Sequence, residues 1–302
     1  MSNQDINLGF IGVGVMGEHM CANLIRKSGK TVNVFDIHPD PVARLKELGS
    51  VTANSISELA AKADFIFLSL PSIVQVEEVC TGENGILNSP DRRVKYIVDM
   101  STSDVTRTRQ LAEKLALNGI VLIDAPVARM REAAKNGTLL ITVGSNTENF
   151  ELVKPYLACM GSDIVHCGEI GCGQVVKIMN NMIVFMTVHA LAEALVIGQR
   201  AGVDGELMFN ALTKGSADSF VLHNPGLKAL AKNSFPEKTF PTEYAIKDIK
   251  LALELARQGD VDVKAAKLTH SLLEQTKNAG FVKEYYPIMV KLIEEGYQSA
   301  QE

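Results

Sequence analysis

The chain has 302 residues, 46% of them hydrophobic, with 30 Lys plus Arg against 35 Asp plus Glu and a formal net charge of −5 at pH 7. That length exceeds what a single hydrophobic core usually covers, so length and composition allow one large or two ordinary domains. The mildly negative balance supplies no basic field for nucleic acid or an anionic membrane, which leaves a small molecule as the expected partner.

The first strand is read at Ile6 to Ile11 and runs into Gly12-Val13-Gly14-Val15-Met16-Gly17, after which Met20, Leu24 and Ile25 keep helical spacing. Strand, glycine turn, helix is the setting that a GxGxxG dinucleotide fingerprint requires. Gly12 permits the tight turn, Gly14 removes the side chain that would hold a pyrophosphate off the helix N-terminus, and Gly17 lets helix and strand pack closely. A second strand, Thr31 to Phe35, delivers Asp36 nineteen residues after Gly17. A carboxylate there accepts hydrogen bonds from the adenosine ribose hydroxyls and repels a 2′-phosphate. Ile37-His38-Pro39 offers no arginine to hold that phosphate, so NAD is expected ahead of NADP. His38 or a more distant lysine leaves NADP open.

The βα alternation continues with helices at Pro41 to Leu48 and Ile56 to Ala63 and a buried strand at Phe65 to Leu70, which Pro71 stops. Strand Val94 to Asp99, helix Asp104 to Leu117, strands Val121 to Ala125 and Leu139 to Val143, helix Thr147 to Met160 and a last strand near Asp163 to His166 follow. This pattern describes an α/β fold, an N-terminal Rossmann-type doubly wound parallel sheet. Ligands of such sheets gather at the strand carboxyl ends, so Leu70-Pro71, Ser101-Thr102 and Asp124-Ala125-Pro126-Val127 are expected to face cofactor or substrate. Ser101 and Thr102 read equally as a helix N-cap before Asp104.

Cys167 to Gly171 forms a hinge into Gly171 to Arg200, read as one long interdomain helix with Gly202 just past its end. The helix is apolar on nearly every face, yet it carries Lys177, Asn180 and Asn181, and a spacing of four puts Lys177 and Asn181 on one side. The plain alternative is a lysine whose stem lies along apolar surface while its ammonium reaches solvent. Its longest uninterrupted apolar run is read as Met182 to Leu191, too short and too polar to span a bilayer. Leu207 to Thr213, Asn224 to Leu230, Tyr244 to Gln258, Lys264 to Ala279 and Tyr286 to Glu295 read as helices, with no strand signal among them. The expected organisation is a dinucleotide-binding domain over 1–166 and an all-helical substrate and oligomerisation domain over 167–302, with the site in the cleft between them.

Five cysteines (Cys21, Cys80, Cys159, Cys167 and Cys172) form no CxxC pair, and no charged-plus-apolar leader opens the chain before the first strand. Reduced thiols and a cytoplasmic setting are therefore expected. The histidines are scattered and no clustered carboxylates appear, so no metal is expected.

FIGVGVMG at 10–17, SLP at 69–71, VDMST at 98–102, DAPV at 124–127 with NGTL at 136–139, GCGQVVKIMNN at 171–181 and KDIKLALELA at 247–256 stand in one order along the chain. In these motifs the sequence resembles the β-hydroxyacid dehydrogenase family, the group of 3-hydroxyisobutyrate, tartronate semialdehyde and sulfolactaldehyde dehydrogenases or reductases. The resemblance implies hydride transfer at a primary alcohol or aldehyde, with Lys177 as general acid/base and Asn181, beside Asn180, holding substrate. It further implies that Thr102, next to Ser101, contacts the nicotinamide, and that Lys247 and Asp248 complete the cofactor side. One ammonium or amine suffices for the proton: it donates when charged and accepts from an alcohol when neutral, a state that burial and a cation such as Lys247 favour.

The sequence departs from the family at Ala128-Arg129-Met130, where most members carry Ser-Gly-Gly. Arg129 replaces backbone amides with a guanidinium fork able to grip an anion, as in sulfolactaldehyde reductase-like members; its alternatives are solvent or an acidic partner. The loop Gly215 to Phe220 is expected to close over the other end of the substrate, with Phe220 against it. The leading expectation is an NAD-dependent semialdehyde reductase for a small anionic semialdehyde or hydroxyacid, including sulfolactaldehyde; a 3-hydroxyisobutyrate or tartronate-type carboxylate is the alternative. An imine reductase and a non-catalytic cofactor-binding sensor rank below these. The long apolar helix and the helical second domain suit a homodimer or homotetramer.

Overall fold

The computed structural model describes residues 6–296. It divides into two compact units, one ending at Lys177 and one beginning at Ile178. The first unit contains β1 (Leu8–Ile11), α1 (Gly17–Lys27), β2 (Val32–Phe35), α2 (Pro39–Glu47), β3 (Val51–Thr52), α3 (Ile56–Lys62), β4 (Phe65–Leu68) and α4 (Ile73–Thr81). It continues with β5 (Tyr96–Asp99), α5 (Val105–Ala116), β6 (Val121–Asp124), β7 (Val127–Ala128), α6 (Arg131–Asn136), β8 (Leu139–Gly144), α7 (Thr147–Leu157) and β9 (Gly161–Gly168).

Among the described residues the strands form one sheet in the order β3-β2-β1-β4-β5-β6-β8-β7, with β9 also paired to β8. Alternate strand residues feed two cores, as a sheet covered on both faces requires. Phe10 and Phe67 pack with Met20, Leu24, Phe150 and Val153 of α1 and α7. Ile11, Ile66 and Leu68 pack with Leu59, Val76, Leu111 and Leu115 of α3, α4 and α5. The order reverses beside β1, which brings the glycine turn after β1 and the end of β4 to the crevice where such sheets bind ligands.

The sheet is mixed where a parallel one was expected: β8 runs antiparallel to β6 and β7, and β9 is parallel to β8. The reversal follows from connections too short for a crossover, since β6 reaches β8 through β7 and the six-residue α6. The two-residue strands β3 and β7 have no periodicity to read, and α4 hides behind β-branched Ile73, Val74, Val76 and Val79. Its start is set by Ser72, whose hydroxyl accepts from the Val74 amide.

α8 (Cys172–Arg200) begins in the first unit and continues into the second. The division falls after Lys177, beyond the expected 166/167 boundary, because the first turn of α8 is bonded to strand ends of the sheet. Over its most apolar 18-residue window α8 has a mean hydropathy of 1.7, so by length and composition it is able to cross a membrane, which the shorter uninterrupted run concealed. Phe185, Val188, Ala192 and Leu195, however, are buried in the core of the second unit.

The second unit adds α9 (Gly205–Leu212), α10 (Thr242–Gln258), α11 (Lys264–Asn278) and α12 (Val290–Glu294). Leu222–Leu230 winds as a π-helix, with Pro225 supplying no N–H to the ladder, and Tyr286–Met289 is a 3₁₀ turn ahead of α12. Among the described residues this unit has no strand, only an isolated bridge between Pro241 and Tyr285.

Candidate active site

The glycine turn after β1 has the shape its sequence foretold. Gly12 sits at φ +91°, and a Cβ there would strike the Ser69 carbonyl; one on Gly17 would strike the Gly12 carbonyl. A Cβ on Gly14 would meet nothing within 4 Å, so the turn is open on the side from which a pyrophosphate must approach. Asp36 is tied to this turn: its Oδ2 accepts from the Val13 amide at 2.6 Å and its Oδ1 from the His38 amide at 2.8 Å. Val15 is exposed on the turn, and Met16 packs against the core beneath. These residues fit a dinucleotide.

The ends of β4, β5 and β6 are linked to one another. The Leu70 amide, ahead of Pro71, donates to Ser101 Oγ at 2.9 Å. Asp99, fully buried, accepts from the Ser101 amide and from Ser103 Oγ, both at 2.9 Å. Ser101 and Thr102 do not cap α5: Asp104 does, accepting from the Arg107 amide at 2.8 Å.

Asp124 does not face a ligand crevice, as its place at the end of β6 led us to expect. Its carboxylate is buried and takes the Gly171 amide on Oδ1 at 2.6 Å and the Gln174 amide on Oδ2 at 2.7 Å. Gly144 and Gly173 leave it room, since a Cβ on either would collide with the carboxylate. Burial pushes Asp124 up to about 7 against the lowering pull of the two amides, with neighbouring Asp99 adding to the rise. Lys177 is half-buried on α8, three residues beyond Gln174.

In the second unit, Asn181 Nδ2 donates to Asp248 Oδ2 at 2.7 Å, and Lys247 Nζ lies 2.8 Å from Asp248 Oδ1. Asn180 Nδ2 reaches Asn181 Oδ1 at 3.1 Å. The Lys247 charge is therefore met by its own neighbour. Phe220 is 60% exposed, and Asp218 beside it pairs with His223 at 2.7 Å.

The guanidinium of Arg129 is engaged at the β8–β9 edge. Its Nη1 donates to the Thr138 carbonyl at 2.6 Å and Ser162 Oγ at 3.2 Å, and lies 2.8 Å from Asp163 Oδ2. The hydrogen bond from Ser162 and the Arg129 charge hold the Asp163 carboxyl below its ordinary range. Of the two alternatives for this arginine, the structure displays the acidic partner. Arg129 also holds φ +83°, in the left-handed region that favours glycine, a strained backbone that the three bonds offset. Among the described residues no three His, Cys, Asp or Glu side chains converge as a metal site.

Residues 7–168 match the family described as the NAD binding domain of 6-phosphogluconate dehydrogenase, and 171–293 match that described as NAD-binding of NADP-dependent 3-hydroxyisobutyrate dehydrogenase. The chain is 35% identical over 292 residues to 2-(hydroxymethyl)glutarate dehydrogenase of Eubacterium barkeri, covering 97% of this chain and 96% of that one. Mouse mitochondrial 3-hydroxyisobutyrate dehydrogenase is 33% identical over 293 residues, covering 95% and 87%. The chain belongs to the β-hydroxyacid dehydrogenase family. The fold of Mycobacterium tuberculosis 3-hydroxyisobutyrate dehydrogenase superposes with a TM-score of 0.84 at 24% identity, over 95% of this chain and 99% of that one. An imine reductase from Myxococcus stipitatus shares the fold less closely, at a TM-score of 0.64 and 17% identity. Family membership makes the chain an oxidoreductase of the hydroxyacid dehydrogenase type with a nicotinamide dinucleotide cofactor.

Asp124, Gln174 and Asp99 are the residues whose roles sequence reading missed. The signal was present as an acid at a strand end and a glutamine inside the lysine motif, but the contacts of Asp124 and Gln174 span 47 to 73 residues, while the bonds that Asp99 accepts from Ser101 and Ser103 stay within its own turn. Because Asp124 titrates near 7 in the fold and near 4 in an unfolded chain, the folded protein holds a proton that the unfolded one gives up between those values. Stability to urea is therefore expected to fall as pH rises from about 4 to about 7, and Asp124→Asn to flatten that slope even while lowering stability overall. Equilibrium urea unfolding at several pH values reads this, and parallel slopes in the two proteins would contradict it.

Proposed function

We propose that the protein interconverts the primary hydroxyl of a small 2-substituted 3-hydroxycarboxylate and its semialdehyde, with Lys177 as general acid and base and NAD preferred to NADP. The observation that carries the reading is found in the first unit. An open glycine turn and the start of the helix bearing Lys177 are both fixed to carboxyl ends of one sheet. The nicotinamide, when bound, supplies the hydride exchange. Lys177 holds the proton that enters or leaves the substrate oxygen, and Gly12, Gly14, Gly17 and Asp36 hold the dinucleotide. Asp36 supports NAD because its carboxylate, fixed by the Val13 amide, repels a 2′-phosphate. The substrate class draws on the two relatives' names, 2-(hydroxymethyl)glutarate and 3-hydroxyisobutyrate, which share a hydroxymethyl group beside a carboxylate-bearing carbon. The five free thiols suit a reducing, cytoplasmic compartment.

A carboxylate is favoured over the sulfonate of sulfolactaldehyde because the arginine on which the sulfonate reading rested is bonded to Asp163, Ser162 and Thr138. A second copy of the chain is proposed as the partner of α8. Its Ile183 and Ile197 are 56% and 68% exposed, seven residues either side of exposed Ala190. Two such helices crossing antiparallel at Ala190 would set each Ile183 against the other's Ile197.

Oxidation of NADH and of NADPH, followed with methylmalonate, tartronate, succinic and sulfolactaldehyde semialdehydes, tests the reading directly. Turnover is expected with a carboxylate semialdehyde and NADH, and Lys177→Ala should lose about 10²- to 10⁴-fold in kcat while NADH affinity holds. Full activity in Lys177→Ala would place the proton elsewhere. Arg129→Ala should leave substrate KM within about twofold, as expected when a side chain makes no contact in either ground or transition state. A tenfold rise would restore the anion grip. By light scattering, Ile183→Glu should shift an oligomer toward monomer; an unchanged mass would remove α8 from the interface.

A further inference from the structure

The turn after β5 is held from two sides. From β4, the Leu70 amide donates to Ser101 Oγ at 2.9 Å. From α8, Gln174 reaches around Thr102: its Oε1 accepts from the Ser103 amide at 2.9 Å, and its Nε2 donates to the Ser101 carbonyl at 2.8 Å. The backbone amide of the same residue is the one that Asp124 Oδ2 accepts at 2.7 Å. Gln174 is fully buried. A leucine of similar length would fill that space without desolvating an amide, so packing alone does not call for glutamine there.

An amide that bonds both neighbours of one residue fixes that residue's backbone along two directions, because its donor and acceptor ends are rigidly joined. Lys177 is three residues further along α8, on the same side of the helix. The links from the glycine turn to the lysine are then continuous. Gly12 abuts Ser69, Leu70 bonds Ser101, Ser101 bonds Gln174, and Gln174 precedes Lys177 by less than one turn.

We propose that Gln174 is a positioning residue, which ties the placement of Thr102 at the cofactor side to the placement of Lys177 at the proton side. The proposal rests on the reading in which Lys177 handles the proton and the strand ends receive the dinucleotide. Hydride and proton must move at fixed separation, and a misplacement of about 1 Å costs on the order of 10²-fold in rate. Loosening the tie leaves each binding contact in place, so the loss falls on kcat and spares KM.

Gln174→Leu removes both bonds at similar length; Gln174→Glu keeps the acceptor toward Ser103 and loses the donor toward Ser101. NADH-binding stoichiometry from fluorescence titration, kcat per binding site, substrate KM, and amide hydrogen exchange of segments 101–104 and 175–178 are measured for both and for wild type. Gln174→Leu is expected to lose about 10- to 100-fold in kcat per binding site, with KM and NADH affinity within about twofold, and Gln174→Glu to fall between it and wild type. Exchange is expected to quicken in both segments. A kcat loss that disappears once normalised to binding sites would reveal a merely structural role and overturn the proposal. Quickened exchange confined to 101–104 would overturn it too. The exchange readout needs no turnover, so it decides the tie even if Lys177→Ala shows that the functional reading has failed. Should Gln174→Leu not fold, Gln174→Glu carries the same comparisons.

Discussion

The position of α8 depends on one buried carboxylate. Asp124 ends β6, and its two oxygens take the amides of Gly171 and Gln174, so the helix begins where that carboxylate lies. A negative charge at a helix N-terminus gains up to about 2 kcal/mol in partly buried settings. Removing a carboxylate from water costs several kcal/mol. Burial raises Asp124 above its ordinary range despite the two amides, so desolvation offsets part of what the cap returns. What it provides is specificity: Gly144, Gly173 and Thr142 shape a socket that accepts this start of α8, with Thr142 Oγ1 donating to the Gly173 carbonyl at 3.0 Å.

The glycine turn works by the opposite means, since two of its glycines are required by contact and one by its absence. Gly12 and Gly17 have carbonyls where a Cβ would stand, which locks α1 onto β1. Gly14 borders open space, and only a ligand's approach gives a reason for its missing side chain. Asp36 binds the turn to the end of β2 through Val13, so a carboxylate at one strand end braces the turn that follows another.

What the sequence made legible was local. The fingerprint, the alternation of strand and helix, the long helix and the helical second unit follow from spacings of fewer than about thirty residues. Asp36 was readable because it ends a strand nineteen residues after Gly17, within one βαβ unit. The reversal at β8 was not, because antiparallel pairing of β7 with β8 depends on a two-residue strand and a left-handed Gly137 after α6. Asp124 read as a ligand-facing acid because strand ends usually point to ligands; its partners lie 47 and 50 residues on, where no local pattern reaches.

Arg129 shows the same limit from another side. The resemblance suggested a guanidinium able to grip an anion, with solvent or an acidic partner as the alternatives, and Asp163, 34 residues later, is such a partner. An arginine at φ +83° bears a strain of about 1–3 kcal/mol that glycine would avoid. An exposed ion pair is worth little, so the pair with Asp163 alone does not offset that strain. The bonds to the Thr138 carbonyl and Ser162 must contribute as well, and together the three fasten the segment after β7 to β8 and β9. A loop fastened in this way presents its backbone groups in a fixed shape.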